Sequence, residues 1–257
     1  MIPLKDENPH PPGFKPVMTI FLIIANTVVF LMQVAATGQF FDFTNNNAFA
    51  MFYSWGAVPN CVTGADESIL SFGAEVFAIP CPDMPYATLI SSTFMHGGLI
   101  HFGGNMLFLW VFGDNIEQKF GKFKYLGIYL AWGVVAGLVH IYGDASSPIP
   151  AVGASGAISG ILGAYLVLFP RARILTLFGY FFLHIQARWF LPFWLVMQNL
   201  LPYFIGGFGV AGGGVAYLAH IGGFVIGLVT AYAYKKAFDP GPPLYGTRYG
   251  YRPDYYE

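Results

Sequence analysis

The sequence predicts an all-α, polytopic membrane protein, a bundle of six transmembrane helices with a long, membrane-associated first outer loop. Three observations carry that prediction. The 257 residues are 56% hydrophobic and only 10% charged, against about 25% charged in an average soluble domain, and the mean hydropathy is +0.57. Several stretches reach the roughly 20 apolar residues that cross a bilayer. The twelve Lys and Arg fall in a few clusters, a pattern of topology rather than of a nucleic-acid surface.

The first apolar run, Val17 to Thr37, is longer than a signal-peptide core and has no clear small-residue cleavage site near its end, so it reads as the first span. Further spans are expected at 98–116, 122–142, 150–169, 189–207 and 211–234. With residues 1–16 as a cytoplasmic N-tail, all of Lys5, Lys15, Lys119, Lys122, Lys124, Arg171, Arg173, Arg188, Lys235, Lys236, Arg248 and Arg252 fall in cytoplasmic segments. The outer segments hold no base, which is the arrangement that the positive-inside rule demands.

The segment "RILTLFGYFFLHIQAR", Arg173 to Arg188, has an apolar middle of about 14 residues, too short for a span and suited to a re-entrant or interfacial piece. Arginine at both ends places both ends on one side. The outer loop at 38–97 is aromatic-rich (Phe40, Phe41, Phe43, Phe49, Phe52, Tyr53, Trp55), and aromatic side chains favour the membrane interface. It holds both cysteines, Cys61 and Cys81. On the non-cytoplasmic side they can form a disulfide; two free buried thiols are the alternative. Residues 235–257, rich in Pro, Gly and Tyr, read as a disordered cytoplasmic C-tail.

Polar side chains within spans are costly and mark function. Asn26, Asn199 and His140 have bland readings, as helix-to-helix hydrogen bonds or contact with water near a helix end. Ser155 is expected about six residues into its span, roughly 8–10 Å below the outer edge at 1.5 Å per residue. His220, about nine residues in, is expected roughly 14 Å down. His101 and Asn105 share that layer near the outer end of the second span. Ser155, Ser159 and Gly163 form one helical stripe flanked by Gly156 and Gly160, and His220, Gly223 and Gly227 form another. Small residues let helices approach closely, so packing these stripes brings an imidazole to a hydroxyl. A serine needs a base to become nucleophilic, and a buried histidine is neutral, the form a base requires. No carboxylate lies in a span at this depth, so a Ser–His dyad is the natural reading. His101, Asn105 and the Ser155 amide then supply N–H donors for an oxyanion.

These residues sit in "HGGLIHFGGN" (His96 to Asn105), "GASG" (Gly153 to Gly156) and "AHIGGFVIG" (Ala219 to Gly227). In that order, on the second, fourth and sixth spans, they resemble the rhomboid family of intramembrane serine proteases across about residues 17–234. The resemblance implies a cofactor-free six-helix fold that cleaves peptide bonds in or near transmembrane segments of protein substrates. By position it implies Ser155 as nucleophile, His220 as base, and His101, Asn105 and Ser155 as oxyanion hole. Gly153, Gly156, Ser159, Gly223, Gly227 and His96 are supporting residues in the same motifs. Glu117 and Gly121, in "EQKFG", resemble a recurring turn after the second helix. Two features depart from the family. The outer loop lacks the Trp–Arg pair of some members, and Ser159 stands where some have a tyrosine that stacks on the histidine.

The expected partners are transmembrane protein substrates and membrane lipids, with no nucleic acid. The expected site is a prokaryotic plasma (inner) membrane with both termini cytoplasmic, because the N-terminus lacks the Arg-rich amphipathic look of a transit peptide. An inactive relative that binds membrane helices would be expected to have lost Ser155 or His220. A small transporter would be expected to show internal repeats, and none is visible. A metal site from His96, His101 and His220 lacks a supporting ligand spacing.

Overall fold

The computed structural model describes residues 1–72, 75–205 and 216–238. Helix α1 (Val17–Thr37) turns Thr19, Leu22, Asn26, Phe30, Gln33 and Thr37 inward at helical spacing. Its other face, with Ile20, Phe21, Ile24, Val28, Leu31 and Met32, is apolar and exposed, as a lipid-facing stripe is. The first turn of α1 is capped from a distance. The buried Glu117 carboxylate accepts the backbone N–H groups of Met18 (3.0 Å) and Thr19 (2.8 Å) and the Thr19 hydroxyl (2.9 Å), so a negative charge meets the donor end of a helix.

The long first loop is structured. It contains helix α2 (Asn46–Trp55), whose N-cap Asn45 accepts the Ala48 N–H, a single turn at Pro59–Val62 and an antiparallel hairpin of β2 (Glu67–Phe72) and β3 (Glu75–Pro80). Cys61 and Cys81 are disulfide-bonded. The loop is tied to the stretch before Ser155: the Tyr53 hydroxyl donates to the Pro148 carbonyl (2.7 Å), Ala57 pairs with Ala151, and the Gly153 N–H donates to the Ser92 carbonyl (2.9 Å). Burial pushes the Tyr53 hydroxyl up to about 12.

Helices α3 (Leu99–Phe120) and α4 (Lys122–Gly143) are separated by Gly121 alone, at φ +79°, a conformation that glycine adopts without strain. Helix α5 (Ser155–Leu168) is the centre of the bundle, and most of its 14 residues are buried. Helix α6 (Ala187–Leu195) carries Pro192 in its interior and continues through a π-helical stretch, Val196–Leu200, into one more turn, Leu201–Ile205. Helix α7 (Tyr217–Phe238) closes the bundle against α5 and α4.

The α5–α7 seam is built from glycine. A Cβ on Gly223 would strike the Gly156 carbonyl, one on Gly227 the Gly160 carbonyl, and one on Gly163 the Phe224 carbonyl. Helix α5 also meets α4, through side chains rather than backbone, with Gly156 against Ala136 and Gly160 against the Trp132 ring. Backbones as near as those of α5 and α7 gain dispersion contacts along their whole length, the packing force available inside a membrane.

Six helices, α1 and α3 to α7, overlap the stretches expected as spans. Three of them, Val17–Thr37, Lys122–Gly143 and Tyr217–Phe238, are by themselves long and apolar enough to cross a membrane. The fourth expected span begins five residues later than hydropathy suggests. Residues 150–154 are non-helical, held by the Ala57–Ala151 bridge, so Ser155 opens its helix rather than lying six residues in. His220 likewise stands in the first turn of α7, not nine residues along.

The expectation of an all-α fold needs correcting too. Besides the loop hairpin there is a three-stranded antiparallel sheet, β1 (Ile2–Asp6), β4 (Arg173–Phe178) and β5 (Phe181–Gln186), in the order β1–β4–β5. Residues 173–188 thus enter and leave on one side as a hairpin, with Arg173 opposite Gln186. Its tip is aromatic and exposed at Phe178, Tyr180, Phe181 and Phe182. The segment expected as a free N-tail is its outer strand. Helix α7 includes Lys235 and Lys236. The expected outer loop at 208–210, the start of the last span at 211 and the C-tail beyond residue 238 lie outside the described residues.

Candidate active site

Ser155 is the first residue of α5, so its backbone N–H has no partner within the helix. The residue two before it sets the geometry. Gly153 has φ +130°, and a Cβ there would lie 2.8 Å from His101 Nε2 and 3.5 Å from Ser155 Oγ. Only glycine fits a backbone of that conformation between two functional side chains.

On α7, His220 points its Nε2 at Ser155 Oγ, 2.7 Å away. The glycine seam accounts for this approach, because Gly223 sits one turn below His220 with its α-carbon against the Gly156 carbonyl and Ser159 Cβ. The two small-residue stripes read from the sequence do meet, through Gly156 and Gly160 as much as through the serine stripe. The other imidazole nitrogen, Nδ1, lies 2.6 Å from Asn199 Oδ1. Trp194 holds its ring 6.4 Å from the imidazole at 39°.

Helix α3 carries two potential donors, of which His101 is the one beside Gly153. The Gly97 N–H donates to His101 Nδ1 (3.3 Å), so in the neutral ring the proton sits on Nε2, the nitrogen beside Gly153 and near Ser155. Asn105, one turn on, is buried, and its Nδ2 has no partner among the described residues. A buried donor left without an acceptor is costly, and an oxyanion formed near Ser155 is an acceptor it lacks. His96 supports this wall. Its ring stands edge-on to His101 at 5.3 Å, and its backbone is clamped by Gln33, which accepts the His96 N–H (3.0 Å) and donates to the His96 carbonyl (2.9 Å).

Beside Ser155 is a cavity of about 40 Å³, walled in part by Ser92, Thr93, His140, Gly153 and Ser155. That exceeds the roughly 10–15 Å³ that a water molecule needs, and the wall offers polar partners.

Of the expected residues, Ser155, His220, His101, Gly153, Gly156 and Gly223 gather at the N-terminal end of α5; His96 packs on His101, Asn105 lies one turn beyond His101 on α3, Ser159 lies one turn into α5, and Gly227 meets Gly160 further along the seam. Ser159 is buried, and its hydroxyl has no partner among the described residues. Sequence reasoning missed Asn199 and Gln33. The cost of a polar group in a membrane flagged Asn199, but nothing in its spacing said that it would face His220. Gln33 lies in the first span, far in sequence from the motif it clamps.

Residues 84–237 match the family model described as "Rhomboid domain". Among curated proteins, the chain is 28% identical over 156 residues to "Rhomboid protein 1, mitochondrial" of Saccharomyces cerevisiae, which covers 59% of this chain and 43% of that protein. It is 31% identical over 169 residues to "Rhomboid protease GluP" of Bacillus subtilis, covering 65% of this chain and 29% of the relative. It is 33% identical over 159 residues to "RHOMBOID-like protein 12, mitochondrial" of Arabidopsis thaliana, covering 55% and 44%. The match thus spans less than half the length of each of these relatives.

Proposed function

This chain is an integral membrane protein that belongs to the rhomboid family, and from that premise we propose that it is a serine endopeptidase acting on transmembrane proteins. One observation carries the reading: the hydroxyl of Ser155 and Nε2 of His220 are 2.7 Å apart, within reach for proton transfer. A relative named a protease supports it.

In this mechanism His220 Nε2 takes the Ser155 proton as Oγ attacks the scissile carbonyl carbon. The negative charge that develops on the carbonyl oxygen is met by His101 Nε2–H, Asn105 Nδ2–H and the Ser155 N–H. As the intermediate collapses, the peptide C–N bond breaks and His220 returns the proton to the leaving amine. An ester to Ser155 remains. Water then attacks that ester with His220 again as base, releasing the carboxylate product and restoring the hydroxyl. The polar-walled cavity beside Ser155 is large enough to hold that water.

In the same reading α1 and α3 to α7 all cross the membrane, with both termini cytoplasmic. The confinement of every Lys and Arg to four segments supports this. Helix α5 is too short to span by itself, about 21 Å at 1.5 Å per residue, and it does so encased by its neighbours. A prokaryotic plasma membrane is the proposed location. The Bacillus subtilis relative accords with it, and the relatives named mitochondrial favour an organelle instead.

The test is covalent labelling. A fluorophosphonate should modify the solubilised wild-type protein at Ser155, as read by peptide mapping, and should not modify His220→Ala. Failure to label the folded wild-type protein would favour an inactive helix-binding relative.

A further inference from the structure

We propose that Asn199 is a positioning residue for His220, so that the pair works as a Ser–His–Asn triad; this rests on the protease reading above. For His220 to take the Ser155 proton at Nε2, the neutral ring must carry its own proton on Nδ1. That N–H needs an acceptor, because an unpaired N–H inside a membrane protein is costly. Asn199 Oδ1 lies 2.6 Å from Nδ1, and the residue is fully buried. The hydrogen bond therefore selects the tautomer and fixes the ring's rotation about its own axis. An amide fills this place in the Cys–His–Asn constellation of other proteases.

Two further features give Asn199 this task. Ser159 cannot stack on the imidazole as an aromatic residue at that position would, and the Trp194 ring is 6.4 Å away and tilted. Among the described residues, the hydrogen bond at Nδ1 then joins the Ser155 contact at Nε2 in restraining the ring. Asn199 also lies in the π-helical stretch Val196–Leu200, and such widened turns recur at functional sites because they re-aim a side chain. Residues 199 and 220 come from separate helices, so the bond ties α6 to the base on α7. Among the described residues the other titratable groups acting on His220 are His101 and His140, and the group at Nδ1 is a neutral amide, not a carboxylate.

The test is steady-state cleavage of a single-span reporter in proteoliposomes across pH. Asn199→Leu should lower kcat about 100-fold, with KM within about twofold, because the residue touches the base and not the substrate. Asn199→Asp should restore most of kcat and move the acid limb of its pH profile upward, since a carboxylate at Nδ1 favours the imidazolium. A structural role alone would not move that limb. If Ser155→Ala is inactive while Asn199→Leu keeps the wild-type kcat, the triad is overturned and the protease reading stands. If Ser155→Ala still cleaves, the protease reading itself fails. A second measurement reads the tautomer in the wild-type protein directly. Nitrogen-15 NMR of labelled histidines, with His220 assigned by its loss in His220→Ala, should show the Nδ1-protonated form at neutral pH. An Nε2-protonated His220 contradicts the proposal.

Discussion

The two ends of helix α5 carry polar clusters of opposite kinds. At the C-terminal end one acceptor is surrounded by donors. The Asp6 carboxylate, brought in by β1, accepts from the Tyr165 hydroxyl (2.7 Å), from Asn115 Nδ2 (2.7 Å) and from Asn8 Nδ2 (3.1 Å). Burial raises its pKa, and the bonds from Tyr165 and Asn115 pull the other way. At the N-terminal end donors lack acceptors. Asn105 Nδ2 is buried without a partner among the described residues, and His101 Nε2 lies beside Gly153, two residues before Ser155. The first cluster closes a fold; under the proposed protease mechanism the second awaits a charge that forms only during reaction. Mutation should therefore separate the two ends, with one governing stability and the other governing rate.

The largest effect belongs to the reacting pair. Ser155→Ala and His220→Ala should each lower kcat by at least about 10⁴-fold, while thermal unfolding in detergent stays near wild type. Next is Asn105→Ala, for which a loss of about 10²–10³ in kcat is expected. Its melting temperature should hold or rise, because the change removes a buried donor that nothing among the described residues satisfies. A stability loss with unchanged kcat would put Asn105 in the structural class and break the contrast.

The seam between the two ends comes third. Gly227→Val places a side chain on the Gly160 carbonyl and should cost about 2–3 kcal/mol, whereas Gly127→Ala, with nothing within 4 Å of the new methyl, should be close to neutral. Equal melting temperatures for the two would contradict the close backbone approach. The smallest effect is Asp6→Ala. It removes one acceptor, but Asn8 keeps the Tyr165 hydroxyl (2.7 Å) and Asn115 keeps Asp114 Oδ1 (2.9 Å), and the carboxylate is already penalised by burial, so about 1 kcal/mol of stability should go with kcat unchanged. A kcat loss there would mean that the two ends of α5 are coupled.

Much of the active end was legible in the sequence because it obeys short-range rules. Helical spacing put Ser155 beside Gly156 and Gly160, and His220 above Gly223 and Gly227, and small residues in apolar runs mean close helices. What hydropathy could not tell was where helices begin. Ala151 and Val152 are apolar like span residues, but here Ala151 is bridged to Ala57 in a half-buried non-helical stretch. The other end was illegible for a different reason. The strand Ile2–Asp6 pairs with Arg173–Phe178, across about two thirds of the chain, and a five-residue segment has no pattern that names so distant a partner. Asn199 combined both difficulties: its chemistry was visible, but its neighbour was not.

The most direct test is cleavage of a single-span reporter in proteoliposomes, with the new termini sequenced, by the wild-type protein, Ser155→Ala and His220→Ala. The expected result is a discrete cut in or near the reporter's membrane segment by wild type and none by either variant, all three melting alike. Cleavage at the same bond by Ser155→Ala at the wild-type rate would contradict the central claim.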